Sequence, residues 1–303
     1  MTRTSRTTLY FVALLALATG LSTFASGQSA PAPAPAPTAT PSPTLNGTAH
    51  IAIRVKDIAA SVDFYHKLGF DQAFANTGAN GVVTQSFIKI DDRQYIELYP
   101  VTDREPQVGF LHLCFEGGDL NALHDYYVAE GLTPIAVRKA GAGNLLFTMK
   151  GPQQYSEPQN IEYTQYMPGS KHSNEFGQHL GPDRVGDKMT VVALAMQDPA
   201  AARTYYLDKL GFTPSKTNPA RLDLPGTSGE QVEIVPVADL GPRSSIVITS
   251  PNLDKAAAQL TRQQVPFKRA SAAATDGTGK TYTLEMISVT DPDGNIIRIA
   301  STH

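Results

Sequence analysis

A chain of 303 residues is longer than one small core needs, and a net charge of −3 without a basic run leaves nucleic acid no electrostatic reason to bind. Cys114 is the only cysteine, which excludes an internal disulfide and leaves the folded parts to be held by packing.

At the start, Arg3 and Arg6 precede an apolar run from Leu9 to Leu21, and the small residues Ala25, Ser26 and Gly27 follow it. That is the layout of a secretory signal peptide, expected over residues 1–28 and cleaved near Gln28. Its apolar stretch is short for a membrane span and no other segment offers one, so the expectation is a periplasmic or secreted protein with no membrane contact after cleavage. Residues 29–46 contain "SAPAPAPAPTATPSPT", a Pro/Ala-rich linker that stays extended and solvated.

From Thr48 the pattern changes to "TAHIAIRV", a strand, then Asp57, a helix with aromatic residues at helical spacing, and Leu-Gly-Phe opening the next strand. Two further strands, "SFIKI" and "QYIELYP", complete a βαβββ unit. The unit repeats: "VKDIAASVDFYHKLGF" at Val55 returns as "MQDPAAARTYYLDKLGF" at Met196, and weaker copies begin at Gly109 and Ser244. The expected fold is α+β, four βαβββ modules in two pairs, over 47–167 and 188–303, joined by residues 168–187. An open sheet needs a partner to cover it, so modules should pair around a concave cleft.

Strand residues alternate faces, which sorts the polar side chains. His50, Ala52 and Arg54 oppose Ile51, Ile53 and Val55; because the apolar set packs under the helix, His50 faces the cleft. By the same alternation Tyr95, Glu97 and Tyr99 share a face, as do Phe110, His112 and Cys114, and Asn160, Glu162 and Thr164. Pairing the first two modules brings His50, Glu97, His112 and Glu162 toward one point, and two imidazoles with two carboxylates can hold a borderline divalent ion. Taken singly, a strand histidine is more often a hydrogen-bonded structural residue and a cleft-facing glutamate more often simply solvated; the four together point to a chelate.

The four βαβββ copies, "FYHKLGF" after the first helix and the late "TDPDGNIIRIAS" from Thr290 resemble the vicinal oxygen chelate superfamily of glyoxalases, bleomycin resistance proteins and extradiol dioxygenases. The resemblance implies a divalent metal (Ni, Zn, Mn or Fe) on His50, Glu97, His112 and Glu162, as in lactoylglutathione lyase. It also implies Glu97 or Glu162 as general base. Arg54 resembles an arginine that holds the carboxylates of glutathione there, and Tyr95 and Tyr99, on the face of Glu97, become candidate substrate contacts. The implied activity is that of a metal-dependent lyase or isomerase on a small α-oxygenated substrate, since an exported chain would not meet the glutathione of the cytosol. A ring-cleaving dioxygenase would need two His and one Glu on iron, but "NLLFTMKGPQQYSEPQNIEY" offers Tyr155 and no His where that signature expects both. A metal-free binding protein of the bleomycin-resistance kind is the third reading.

Aligning Asp198 with Asp57 puts Val191 at the place of His50, Ser245 near that of His112 and Arg298 at that of Glu162, leaving only Glu233. The second pair thus reads as a degenerate copy, and with both pairs in one chain a monomer suffices. Residues 168–187, within "YMPGSKHSNEFGQHLGPDR", carry His172, Glu175 and His179 and form either a plain connector or a lid.

Overall fold

The computed structural model describes residues 44–301 apart from 217, 227–228 and 276–278; the expected signal peptide and the linker as far as 43 lie outside them. The first module is β1 (Leu45–Val55), α1 (Ile58–Lys67), β2 (Gln72–Thr77), β3 (Val83–Lys89) and β4 (Tyr95–Pro100). The second is β5 (Gly109–Gly117), α2 (Leu120–Ala129), β6 (Arg138–Lys139), β7 (Leu145–Gln153) and β8 (Pro158–Gln165), followed by a connector bearing α3 (Lys171–Asn174). The third is β9 (Lys188–Met196), α4 (Pro199–Asp208), β10 (Thr213–Pro214), β11 (Arg221–Asp223) and β12 (Gln231–Pro236), with a short α5 (Val237–Leu240). The fourth is β13 (Ser245–Ser250), α6 (Leu253–Arg262), β14 (Lys268–Thr275), β15 (Thr281–Thr290) and β16 (Ile296–Ser301). No helix among the described residues is long and apolar enough to cross a membrane.

The four module helices start in the same way. Asp57, Asp119, Asp198 and Asn252 sit in extended backbone and their side chains accept from amides two or three residues on, satisfying donors that a helix start leaves open. That acid or amide after each module's first strand is the local signal that turns strand into helix. Gly69 (φ 85) then reverses the chain after α1 and lies so close to the Asp183 carbonyl that a Cβ would clash.

Two eight-stranded sheets result, in the orders β2-β3-β4-β1-β5-β8-β7-β6 and β10-β11-β12-β9-β13-β16-β15-β14. In each the first strands of two modules pair antiparallel at the centre, β1 with β5 and β9 with β13, so the modules pair first with second and third with fourth. One face of each sheet is apolar and lies under the helices: Ile51, Ile53, Leu98, Leu113, Phe147 and Tyr163 belong to this core in the first half, Val192, Leu194, Ile248 and Ile299 in the second. Each such side chain contributes about 1.5–3 kcal/mol by burial, which is what fixes the polar alternates on the opposite face.

The fold begins slightly earlier than residue 47. Leu45 is buried in the core and its N–H donates to the Pro225 carbonyl at 2.7 Å, so β1 starts inside the expected linker and ties the first half to the second. The halves also meet where Phe110 N–H donates to the Pro242 carbonyl at 2.8 Å.

Candidate metal centre

Register explains why the four cleft residues meet. In β1 and β4, which run parallel, Ala52 lies beside Glu97; in β1 and β5, Ala52 lies beside His112 and His50 beside Cys114; in β5 and β8, Cys114 lies beside Glu162. A β-bulge falls between Thr48 and His50. Around the small Ala52 the side chains converge: His50 Nε2 is 3.1 Å from His112 Nε2, 3.2 Å from Glu97 Oε2 and 3.5 Å from Glu162 Oε1. His112 Nε2 is 3.5 Å from Glu97 Oε2.

These spacings fit a shared cation. Donor atoms about 2.1 Å from one centre must lie roughly 3.0–3.4 Å from each other, close to the 3.1–3.5 Å seen among the imidazoles and carboxylates. His50, His112 and Glu162 form the set whose ligand atoms are mutually within 4.8 Å. Glu97 joins through its contacts to both imidazoles rather than to Glu162. Two carboxylates and two neutral imidazoles would also balance the charge of a divalent ion, and His50, Glu97 and His112 are all buried.

Electrostatics respond to the crowding. Burial by itself would push the Glu97 carboxyl up, but the His50 charge and hydrogen bonds from His112 and His50 outweigh it and hold Glu97 well below the usual carboxylate range. Burial lowers His112, yet its hydrogen bond to Glu97 and the charges of Glu162 and Glu97 leave it raised above 6.5. Glu97 is also clamped from behind. Its Oε1 accepts from Gln85 Nε2 at 3.0 Å and from Tyr99 O–H at 3.1 Å. Glu162 has no amide or phenol clamp among the described residues, and its near neighbour is the buried Cys114 thiol, pushed well up by burial and then by the Glu162 charge.

A cavity of about 170 Å³ lies over the cluster, lined by Gln85, Arg138, Asn144 and His172 among others. The connector packs beside it and adds His172 to its lining. Lys89, fully buried, donates from Nζ to the Glu175 carbonyl and to Asp92 at 3.2 Å; Lys171 N–H donates to the Ala142 carbonyl at 2.8 Å; Tyr95 O–H lies 3.5 Å from the His172 carbonyl. Farther on, Arg184 Nη1 donates to the Ile90 carbonyl at 2.6 Å and Val185 N–H to Leu68 at 3.0 Å. Residues 168–187 therefore pack as a strap on the first half rather than as a solvated linker. His179 and Glu175 pair with each other at 3.1 Å, outside the cavity lining.

The other expected site residues divide. Tyr99 lines the cavity. Tyr95 shares the face of Glu97 but is completely buried beneath the strap, in a cluster with Phe87 and Tyr166, so it does not reach the cavity as a substrate contact. Arg54, four residues beyond His50 and so about 13 Å along the strand, opens on a separate cleft between the halves and pairs with Glu105 at 2.8 Å. Gln85 was overlooked by the sequence reasoning; its place two residues before Phe87, on the same face of β3, was the available signal. Asn144 had none.

In the second half the equivalent positions carry Val191, Glu233, Ser245 and Arg298, in the same registers around Ala193. Val191 packs in an apolar cluster and Glu233 pairs with Arg221 at 3.5 Å.

The family model for the Glyoxalase/Bleomycin resistance protein/Dioxygenase superfamily matches residues 47–161 and 188–299, both halves of the repeat. The chain belongs to this superfamily. No curated protein is similar enough in sequence to be matched. Among solved structures, a Mn(II)-bound glyoxalase from Novosphingobium aromaticivorans superposes with a TM-score of 0.63 at 14% identity, covering 85% of this chain and 82% of that one. An extradiol ring-cleaving dioxygenase from B. fuscum gives 0.60 at 16% identity over 88% of this chain and 74% of that one. A 2,3-dioxygenase from Pseudomonas gives 0.58 at 13%, covering 86% and 93%. At these identities the likeness establishes the superfamily fold in its two-pair arrangement.

Proposed function

We propose that the protein is an exported, divalent-metal-dependent lyase or isomerase acting on a small α-oxygenated substrate. The observation that carries this is the convergence of His50, His112, Glu97 and Glu162 at 3.1–3.5 Å beneath a cavity. A metal held by these residues would act as a Lewis acid on a carbonyl or hydroxyl oxygen. Glu97, fixed by Gln85 and Tyr99, is suited to stay as a ligand, and Glu162, without such a clamp, to take and return a proton next to the polarised group.

A second reading, an iron-dependent ring-cleaving dioxygenase, draws on the His50, His112 and Glu162 triad together with the fold likeness to such enzymes. Metal analysis of protein purified without chelator, followed by two assays, tests both. Solvent deuterium exchange next to the carbonyl of small α-hydroxy ketones supports the lyase or isomerase; oxygen uptake with catechols and iron(II) supports the alternative. Failure to bind any divalent ion after reloading refutes both.

A further inference from the structure

The wall of the metal cavity carries one charge that the chelate does not use. Outside His50, Glu97 and Glu162, Arg138 is the one lining residue charged near neutral pH, since burial keeps His172 neutral. Register places Arg138 on the face that holds the chelate. Glu162 and Thr164 stand two apart in β8 and share a face; Leu146 of β7 lies opposite Thr164, and Arg138 of β6 lies opposite Leu146. Residues directly opposed in antiparallel strands present their side chains to the same side, and both Thr164 and Leu146 line the cavity. Two strand spacings of about 4.8 Å and two residues of about 3.4 Å set the Cα atoms of Arg138 and Glu162 about 12 Å apart. Arg138 therefore stands at the wall of a hollow whose floor is the metal set.

Nothing on the protein neutralises it. The guanidinium has no ion pair or hydrogen bond among the described residues, and the nitrogen contacts of Glu97 and Glu162 go to His50, His112 and Gln85. An arginine stays ionised at any working pH and its planar fork matches a carboxylate. In the loaded centre Glu97 and Glu162 balance the two charges of the ion, so the floor is neutral and the lining as a whole keeps the one positive charge of Arg138. One unmatched cation beside a neutral metal floor calls for one negative charge on the ligand. We infer that Arg138 determines specificity in this site, and that the substrate is an α-oxygenated molecule bearing a carboxylate a few bonds from the oxygens that meet the metal. This rests on the metal reading above.

Calorimetry on the zinc-loaded protein tests it. Acetohydroxamate chelates through two oxygens and has no further charge; the monohydroxamates of malonate, succinate and glutarate keep that group and add a carboxylate one, two or three methylenes away. Wild type is expected to bind at least one of these three about tenfold more tightly than acetohydroxamate, a preference that shrinks as salt is raised. Arg138→Gln should lose the preference while keeping its affinity for zinc and for acetohydroxamate, and Arg138→Lys should retain part of it. No preference in wild type, a preference that survives Arg138→Gln, or zinc affinity lost in Arg138→Gln overturns the inference alone. So does a larger gain for phosphonoacetohydroxamate, which would assign a phosphate in place of the carboxylate. A wild type that takes no zinc overturns the metal reading, and this one with it.

Discussion

Tyr99→Phe probes how the metal set is held. The Tyr99 hydroxyl lies 3.1 Å from Glu97 Oε1, and Gln85 Nε2 reaches the same oxygen at 3.0 Å and the hydroxyl itself at 2.5 Å. Removing that hydroxyl leaves the ring packed edge-on against His112 at 6.3 Å, so the change removes the hydrogen bond to the buried carboxylate together with the one accepted from Gln85, whose amide still reaches Glu97. A hydrogen bond to a charged group is worth about 1.5–3 kcal/mol, and it exists with and without metal, so part of its loss falls on the stability of the metal-free protein. What remains is orientation. A supporting partner behind a ligand typically accounts for about 10–100-fold in metal affinity, or about 1.4–2.8 kcal/mol. Competition for zinc against a chromophoric chelator reads the affinity and a thermal melt reads the stability. Zinc affinity within threefold of wild type would refute the view that Tyr99 holds Glu97 for the metal.

Other consequences of the geometry are open to measurement. In the metal-free protein the raised His112 stabilises below its ordinary 6.5 and loses that contribution as pH rises past its folded value. The lowered Glu97 stabilises above 4.5 and loses its contribution as pH falls, while His172, pushed down to about 3 by burial, costs stability as pH falls below 6.5, so melting temperature should peak near the top of the window between about 4.5 and 6.5. Saturating zinc displaces the proton from His112 and should move the optimum upward; an unmoved optimum would contradict metal binding at His112. Lys89→Met removes the buried ammonium that anchors the strap at Glu175, and hydrogen exchange over residues 171–177 should rise while β5 stays protected; unchanged exchange there would show that Lys89 does not hold the strap. Phe147→Ala empties a fully buried site that stacks on Tyr163 at 5.0 Å and should cost about 3–5 kcal/mol by denaturant unfolding; less than 1 kcal/mol would mean the core under α2 is not close-packed.

Much of this was legible in the chain itself. The repeat and the Asp or Asn opening each helix are local, and they determine four βαβββ modules whatever else packs nearby. Period-two alternation put His50, Glu97, His112 and Glu162 on one face, because burial of Ile51, Ile53 and their counterparts leaves the alternates nowhere else to point. Alternation speaks to face only, not to depth or distance along a strand. Tyr95 and Arg54 share the correct face, yet one lies under the strap and the other opens on a different cleft. Tertiary packing decided the strap as well: Lys89 reaches across 86 positions in sequence to Glu175, and with the Lys171–Ala142 and Tyr95–His172 contacts it sets His172 over the cavity. No local pattern encodes it, since the energy that closes the strap comes from partners that the linear sequence keeps apart.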